Sequence, residues 1–191
     1  MIKITILPVF CLLIGMLLVP NRPNKEPISP FYPEELPGTF TGGFGEDTCH
    51  SCHFDYPLNP EEGSLSLNGI PENYEKEKTY TITVTVSRED LGQAGFQITS
   101  RFSNGKQAGS FSGNSDQVQF TRTENQIEYL QHSLKGSKVN NSTTQSWEFI
   151  WEAPSNYRGE IIFNIAANAG NGDASAFGDY IFTDKITVMA K

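Results

Sequence analysis

The sequence predicts an all-β fold, an antiparallel β-sandwich that begins near residue 64. Three observations indicate it. From Ser64 onward, apolar and polar residues alternate over short stretches, turn residues separate these stretches, and no amphipathic helix of ordinary length interrupts them. Seven or eight short strands with turns between them are typical of two packed antiparallel sheets. A short loop or helical segment, residues 46–63, precedes the sandwich.

The clearest strand signal lies at 79–86, where four apolar residues alternate with four threonines. This alternation is the pattern of a half-buried strand. Similar but shorter patterns predict strands at 94–102, 107–111, 117–122, 127–132, 147–151, 161–165 and 181–188. The residues that we expect to face the core of the sandwich are Phe96, Ile98, Trp147, Phe149 and Trp151.

Composition limits the partners of this chain. Its 191 residues are enough for one ordinary domain plus extra segments, and 37% are hydrophobic and 12% aromatic, so a real core is possible. The formal charge is -8 and nothing in the sequence resembles a phosphate-binding surface, so nucleic acid is not expected as a partner. An acidic protein of this kind is expected to bind partner proteins that carry a basic patch.

The first 20 residues form a targeting segment. Lys3 precedes an apolar run from Ile4 to Val19 whose 16 residues fall short of the roughly 20 that span a bilayer. A signal peptide is therefore expected, with export to the periplasm or surface of a bacterial cell. No small-x-small triplet follows Val19, so an uncleaved anchor that tethers the chain to a membrane remains open.

Residues 21–45 form a linker rich in proline and glycine. Six prolines between residues 20 and 37 exclude a packed helix and favour extended backbone. The linker ends in a glycine-rich stretch, 39–45. This stretch is either a plain flexible loop or a set of tight turns that allow close approach to a flat ligand.

The segment 46–63 contains a Cys-x-x-Cys-His run, the attachment pattern of c-type haem. Cys49 and Cys52 are three positions apart, so on one helical turn, capped by Asp47 or Thr48, both thiols lie on one side. Each can add to one vinyl group of the haem, and His53 then offers a ring nitrogen to the iron. The run predicts one covalent haem c.

Three other interpretations of the run stay open. A dithiol redox pair lacks the expected βαβ pattern around it. A zinc site needs four nitrogen or sulfur ligands, and beyond the run the chain offers only Cys11 and His132. A structural disulfide between Cys49 and Cys52 would be short and strained.

The sixth position of the iron has few candidate ligands. His50 lies between the two anchoring cysteines, so the tether directs it away from the far face of the haem. His132 is expected to end a strand and is the best candidate for the distal ligand. Met189 and an open position are the alternatives.

A separate loop rich in Asn and Asp, which suits either ordinary turns or calcium, contains Asn168, Asn171, Asp173 and Asp179.

From about Tyr80 to the C-terminus the chain resembles the reeler-type (reelin N-terminal-like) domain, an immunoglobulin-like sandwich. The residues that carry the resemblance are Gly95-Phe96, 109–111, 131–133, 147–154, 159–163 and 168–172. Together with the upstream Cys-x-x-Cys-His run, they resemble a group of exported bacterial proteins that join a haem-attachment segment to such a domain. The resemblance implies this fold over residues 64–191, and His132 matches the histidine of the family's strand-end pattern.

These observations lead to one functional expectation and two alternatives. The expectation is an exported monohaem c-type cytochrome that transfers electrons to a partner protein, with His53 and His132 as axial ligands, so it is a carrier rather than a catalyst. One alternative is an extracellular binding or adhesion module with a structural or sensory haem. The other is a small haem peroxidase with an open iron position.

Overall fold

A computed structural model describes residues 38–113, 116–140, 143–155 and 159–191 of the protein. The predicted signal peptide or anchor, residues 1–20, and the linker up to residue 37 lie outside the described residues. Within the described ranges, no helix is long and apolar enough to cross a membrane.

The described residues form a two-sheet β-sandwich with one short 3-10 turn, which confirms the predicted fold class. The strands are β1 Gly63–Asn68, β2 Asn73–Tyr74, β3 Thr79–Arg88, β4 Gln93–Phe102, β5 Ser110–Ser112, β6 Val118–Arg122, β7 Glu128–His132, β8 Thr144–Glu152, β9 Ile161–Gly170 and β10 Tyr180–Ala190. One sheet has the order β1-β3-β8-β5 and the other β2-β10-β9-β4-β7-β6. All neighbours are antiparallel except β2 and β10.

Strand boundaries differ from the prediction at β5. The strand covers 110–112 rather than 107–111, because Gly109 has a φ of +70° that interrupts extended backbone. Gln107 is used instead as a side-chain link, since its Oε1 accepts a hydrogen bond of 2.8 Å from the backbone N–H of Glu128. The prediction also did not single out the short strands β1 and β2.

The apolar core lies between the two sheets. The expected core residues Phe96, Ile98, Trp147, Phe149 and Trp151 are all buried there. Strand β8 shows strict alternation between exposed and buried residues, as a sheet with one solvated face requires. Phe96 stacks on Phe149, with ring centroids 5.9 Å apart, and so joins the two sheets.

The central strands of the six-stranded sheet, β4 and β9, are buried on both faces. Their inner faces carry the apolar core, and their outer faces carry polar side chains such as Gln97, Arg101 and Asn164. The segment 38–57 crosses this outer face and contacts these side chains. The outer face of β4 and β9 is therefore a second buried layer, and it positions the candidate site.

Candidate functional site

The glycine-rich stretch is fastened to the outer face of the sheet. The backbone N–H of Phe40 donates to Gln97 Oε1 at 2.7 Å, and Gln97 Nε2 donates to the carbonyl oxygen of Gly38 at 2.7 Å. Gly43 lies directly over Asn164, since a Cβ at Gly43 would lie 2.3 Å from Asn164 Oδ1. Here the missing side chain allows close approach between loop and sheet, so this end of the predicted linker is a packed layer.

A buried charge cluster holds the end of this stretch. The Glu46 carboxylate forms an ion pair with Arg101 and accepts hydrogen bonds from the Tyr129 hydroxyl at 2.5 Å and the Thr41 hydroxyl at 2.6 Å. Burial, followed by the adjacent Glu46 carboxylate, raises the pKa of Tyr129 above its ordinary range, so the phenol stays protonated and donates. The Arg101 guanidinium also lies 5.0 Å from the centre of the Phe44 ring.

The Cys-x-x-Cys-His run begins on one 3-10 turn, Cys49–Ser51, rather than on a longer helix. Thr48 caps the turn, because its hydroxyl accepts a hydrogen bond of 3.1 Å from the backbone N–H of His50. The backbone N–H groups of Cys52 and His53 both donate to the carbonyl oxygen of Cys49, at 3.2 and 3.0 Å. The turn therefore continues up to the histidine.

Cys49 and Cys52 are free thiols in different surroundings. Cys52 is exposed, whereas burial raises the pKa of the Cys49 thiol to about 12. The imidazole of His50 is directed to its own loop, where Nε2 lies 2.8 Å from the carbonyl oxygen of Tyr56.

His53 is oriented by a carboxylate from the other end of the chain. Its Nδ1 lies 2.7 Å from Asp179 Oδ2, and Asn168 Nδ2 lies 3.3 Å from the same nitrogen. An ionised carboxylate only accepts hydrogen bonds, so the proton of the neutral imidazole is on Nδ1. The Nε2 lone pair is then free, and among the described residues this atom has no hydrogen-bond partner.

Asp179 is ionised by its hydrogen bonds despite its burial. Burial opposes ionisation, but donors from His53, Asn168 and the backbone of Asn171 outweigh it and lower the pKa of the Asp179 carboxyl. The side chains of Asp179 and Asn171 serve the loop itself as turn acceptors.

Two contacts fasten the same loop to the segment after His53. The rings of Tyr56 and Tyr180 are in edge contact with centroids 4.7 Å apart. The backbone N–H of Gly178 donates to Asp55 Oδ2 at 3.0 Å.

His132 ends β7, as predicted, and its ring lies against β4. Nδ1 is 3.1 Å from both the N and the O of Phe96, so it accepts from the backbone N–H in one tautomer and donates to the carbonyl oxygen in the other. The ring fills the space over Gly95, where an added Cβ would lie 2.6 Å from His132 Cε1. Burial lowers the pKa of His132, only partly offset by the Phe96 backbone, so the imidazole is neutral near pH 7.

The sheet register brings together the two strand residues that contact the predicted iron ligands. Gly95, under the His132 ring, is directly opposite Asn168, which contacts His53. Directly opposed residues of neighbouring strands project to the same face of a sheet. The His132 ring over Gly95 and the His53 contact with Asn168 are therefore next to each other across β4 and β9.

Met189 is not brought to this site. It pairs with Asn73 near the end of β10, whereas Ile181, near the start of β10, pairs with Asn168. At about 3.3 Å per residue, Met189 is about 26 Å along the strand from Ile181.

The donor atoms that a haem would take from this chain are the Nε2 atoms of His53 and His132. In the described part of the chain, no three His, Cys, Asp or Glu side chains are grouped to hold a metal ion. A haem needs only two axial donors from the protein, and both histidines engage Nδ1 while Nε2 has no partner within the described residues. Asn168 Oδ1 is buried without a hydrogen-bond partner at the same place.

Sequence reasoning did not assign Asp179, Asn168 or Gly95 to this site. Asp179 and Asn168 were expected to serve a turn or calcium. Asp179 does accept from the loop backbone, and the structure also places both residues against His53. The only signal in the sequence was the glycine inside the strand pattern at 94–102, since such a glycine often marks close approach of another group.

A model of the Reeler domain family matches residues 48–169, a match that includes the Cys-x-x-Cys-His run. Among solved structures, the human F-spondin reeler domain (fragment 1) is 17% identical, with a TM-score of 0.45, and the match covers 71% of this chain and 92% of that one. A structure of the Reelin-N domain of F-spondin is 16% identical, with a TM-score of 0.46. That match covers 74% of this chain and 96% of the other. A comparison with curated proteins found no significant match.

Proposed function

The chain belongs to the Reeler domain family, and we propose that on this scaffold it is a monohaem c-type cytochrome that transfers electrons. Cys49 and Cys52 would form the two thioether bonds, and His53 and His132 would be the axial ligands. Haem c, when bound, supplies a one-electron redox couple. The protein would hold the ligands in place and limit access of other molecules to the iron.

One observation carries the proposal. His53 follows the cysteine pair, and His132 comes from a distant strand, yet their rings contact the directly opposed residues Asn168 and Gly95. Each ring uses Nδ1 for a protein contact, which is the usual way that a ligating histidine is oriented. Two imidazoles held in this way would supply both axial positions, which favours electron transfer over peroxide chemistry.

Two exposed aromatic side chains lie beside the proposed haem site and could cover a bound haem. Phe54 and Phe177 are 60% and 57% exposed, and their rings are in edge contact at 6.0 Å. Phe54 directly follows His53, and Phe177 precedes Asp179 by two positions. Exposed phenylalanines next to the ligand pair suit a flat apolar ligand, since they would lose exposed surface on binding it.

The proposed cellular location follows from the covalent attachment of haem. Covalent haem is attached outside the bacterial cytoplasm, which agrees with a signal peptide or anchor at residues 1–20. We place the protein in the periplasm or at the cell surface. Its formal charge of -8 suits a redox partner with a basic patch, and association should weaken as salt increases.

A scan of three histidines tests the axial ligands. The chain contains only His50, His53 and His132. The protein, matured in a host that assembles c-type cytochromes, is studied in the ferric state by optical and EPR spectroscopy. Wild type and His50→Ala are expected to be low-spin, since His50 Nε2 is bound to the carbonyl oxygen of Tyr56. His132→Ala is expected to keep covalent haem but become high-spin.

Two results would contradict this assignment. A high-spin wild type that consumes peroxide would indicate an open iron position and favour the peroxidase alternative. A His132→Ala spectrum identical to that of wild type would remove His132 from the axial position.

A further inference from the structure

Asp179 is a buried carboxylate whose polar contacts converge on His53. It is 5% exposed, and its Oδ2 lies 2.7 Å from His53 Nδ1 and accepts from Asn168 Nδ2 at 3.1 Å. Its Oδ1 accepts from the backbone N–H of Asn171 at 3.1 Å. Within the described part of the chain, His53 is the only Lys, Arg or His side chain that contacts it.

The position of Asp179 is determined by the fold and not by the haem run. Asp179 immediately precedes β10, and Asn168 belongs to β9, so the turn between these strands sets the carboxylate. Arg88 strengthens the turn, since its guanidinium donates to the carbonyl oxygens of Ala169 and Gly178 at 2.9 and 2.7 Å. The carboxylate is therefore held in place before any ligand binds.

We propose that Asp179 is a positioning residue that makes His53 a stronger donor and thereby lowers the midpoint potential of the haem. The inference rests on the proposed function, because it takes His53 as an axial ligand. A carboxylate that accepts the Nδ1 proton raises the basicity of the ligating imidazole. A more basic ligand and a buried negative charge both favour the ferric over the ferrous state.

The orientation of the ring is the second consequence. With its proton directed to Asp179, His53 offers Nε2 in a single tautomer. Asn168 shares Oδ2 as a second donor, and this competition moderates the pull of the carboxylate on His53. Changes at Asp179 and at Asn168 should therefore shift the potential in opposite directions.

The test is a redox titration of holoprotein carrying Asp179→Asn, compared with wild type. The neutral amide accepts more weakly, so the midpoint potential should rise by about 59 mV, a tenfold change in the one-electron equilibrium. The matched control is Asp173→Asn, which removes one negative charge from the same loop where Asp173 is exposed and screened by solvent. Its potential should stay at the wild-type value, and both variants should stay low-spin.

A second variant covers the case in which Asp179→Asn does not fold. Asn168→Ala removes the competing donor from Oδ2, so the potential should fall below that of wild type. An unchanged potential in Asp179→Asn, or equal shifts in Asp179→Asn and Asp173→Asn, would overturn the role of Asp179. A shift of Asn168→Ala upward would do the same.

Failure of this inference is distinguishable from failure of the proposed function. Wild type with low-spin covalent haem, and an Asp179→Asn potential that does not move, contradicts only the role of Asp179. Wild type without covalent haem contradicts both.

Discussion

The two faces of the six-stranded sheet differ in what covers them. The inner face of β4 and β9 presents Phe96, Ile98 and Phe163 to the facing sheet and is mainly apolar. The outer face of the same strands buries polar groups, among them Arg101 and Asn164, under the segment 38–57. In an ordinary sandwich this outer face would be solvated.

The inner face of the sheet mainly provides stability, whereas the outer face mainly positions the candidate site. The interior is determined by apolar side chains that exclude water, and this is sufficient to fold a two-sheet sandwich. The outer face adds hydrogen-bonded and charged contacts that hold a loop, a cysteine turn and two histidines in fixed places. Disruption of the interior should therefore unfold the protein, whereas disruption of the outer face should alter the site.

The interior is tested first, because the largest loss of stability is expected there. Trp151→Ala removes a fully buried indole whose Nε1 donates to Ser100 Oγ at 3.1 Å. The free energy of unfolding, measured by chemical denaturation, should fall by about 3–5 kcal/mol. Ile150→Ala, on the opposite face of β8, is the matched control and should cost much less. Equal losses for the two variants would contradict the position of the core.

The charge cluster of the outer face should have the next largest effect. Glu46→Gln leaves the Arg101 guanidinium buried without its anion, which should cost about 3 kcal/mol. Hydrogen exchange should increase at Thr41 and Gly42, since Glu46 fastens that stretch to the sheet. Asp116→Asn breaks an exposed ion pair with Lys135 and should cost less than about 1 kcal/mol. Unchanged exchange in the loop would show that the cluster does not hold it.

Gly95 tests the outer face with a smaller change. Gly95→Ala places a methyl group 2.6 Å from His132 Cε1, so the imidazole must move from its place over β4. We expect the folded holoprotein to become partly or fully high-spin by EPR. Gly113→Ala, whose Cβ would lie 3.2 Å from a Val118 methyl group outside the site, is the control and should stay low-spin. A low-spin Gly95→Ala protein would contradict the location of His132.

The interior could be predicted from the sequence, because apolar and polar residues alternate along a strand that is buried on one face. The 79–86 and 147–151 patterns located β3 and β8 and identified the two tryptophans of the core. Strands β1 and β2 were not singled out, because β2 has two residues and β1 is a half-exposed edge strand. The weakness of these signals is physical, since edge strands bury less apolar surface.

The outer face could be predicted only in part. The local spacing of Cys49, Cys52 and His53 indicates their shared chemistry, and the scarcity of histidines indicated His132. Asp179 could not be predicted, because its contact with His53 joins distant parts of the chain through the turn between β9 and β10. Polar residues such as Arg101 also look like ordinary outward residues of a strand until the covering segment is seen.

The cysteine turn offers the smallest expected effect. In protein prepared without haem, iodoacetamide should modify exposed Cys52 well before Cys49. Burial raises the pKa of Cys49 to about 12, so only about 10⁻⁴ of it is thiolate at pH 8. Mass spectrometry of Cys49→Ser and Cys52→Ser variants reports each thiol separately. Faster modification of Cys49 would contradict the described turn.

We propose that one haem is bound covalently to Cys49 and Cys52, and intact mass decides it. The mass is measured together with a pyridine haemochrome spectrum on protein matured in a host that assembles c-type cytochromes. We expect the polypeptide mass plus one haem and the spectrum of a haem with two thioether bonds, both lost in Cys49→Ser/Cys52→Ser. Colourless wild-type protein at the mass of the bare polypeptide would contradict it.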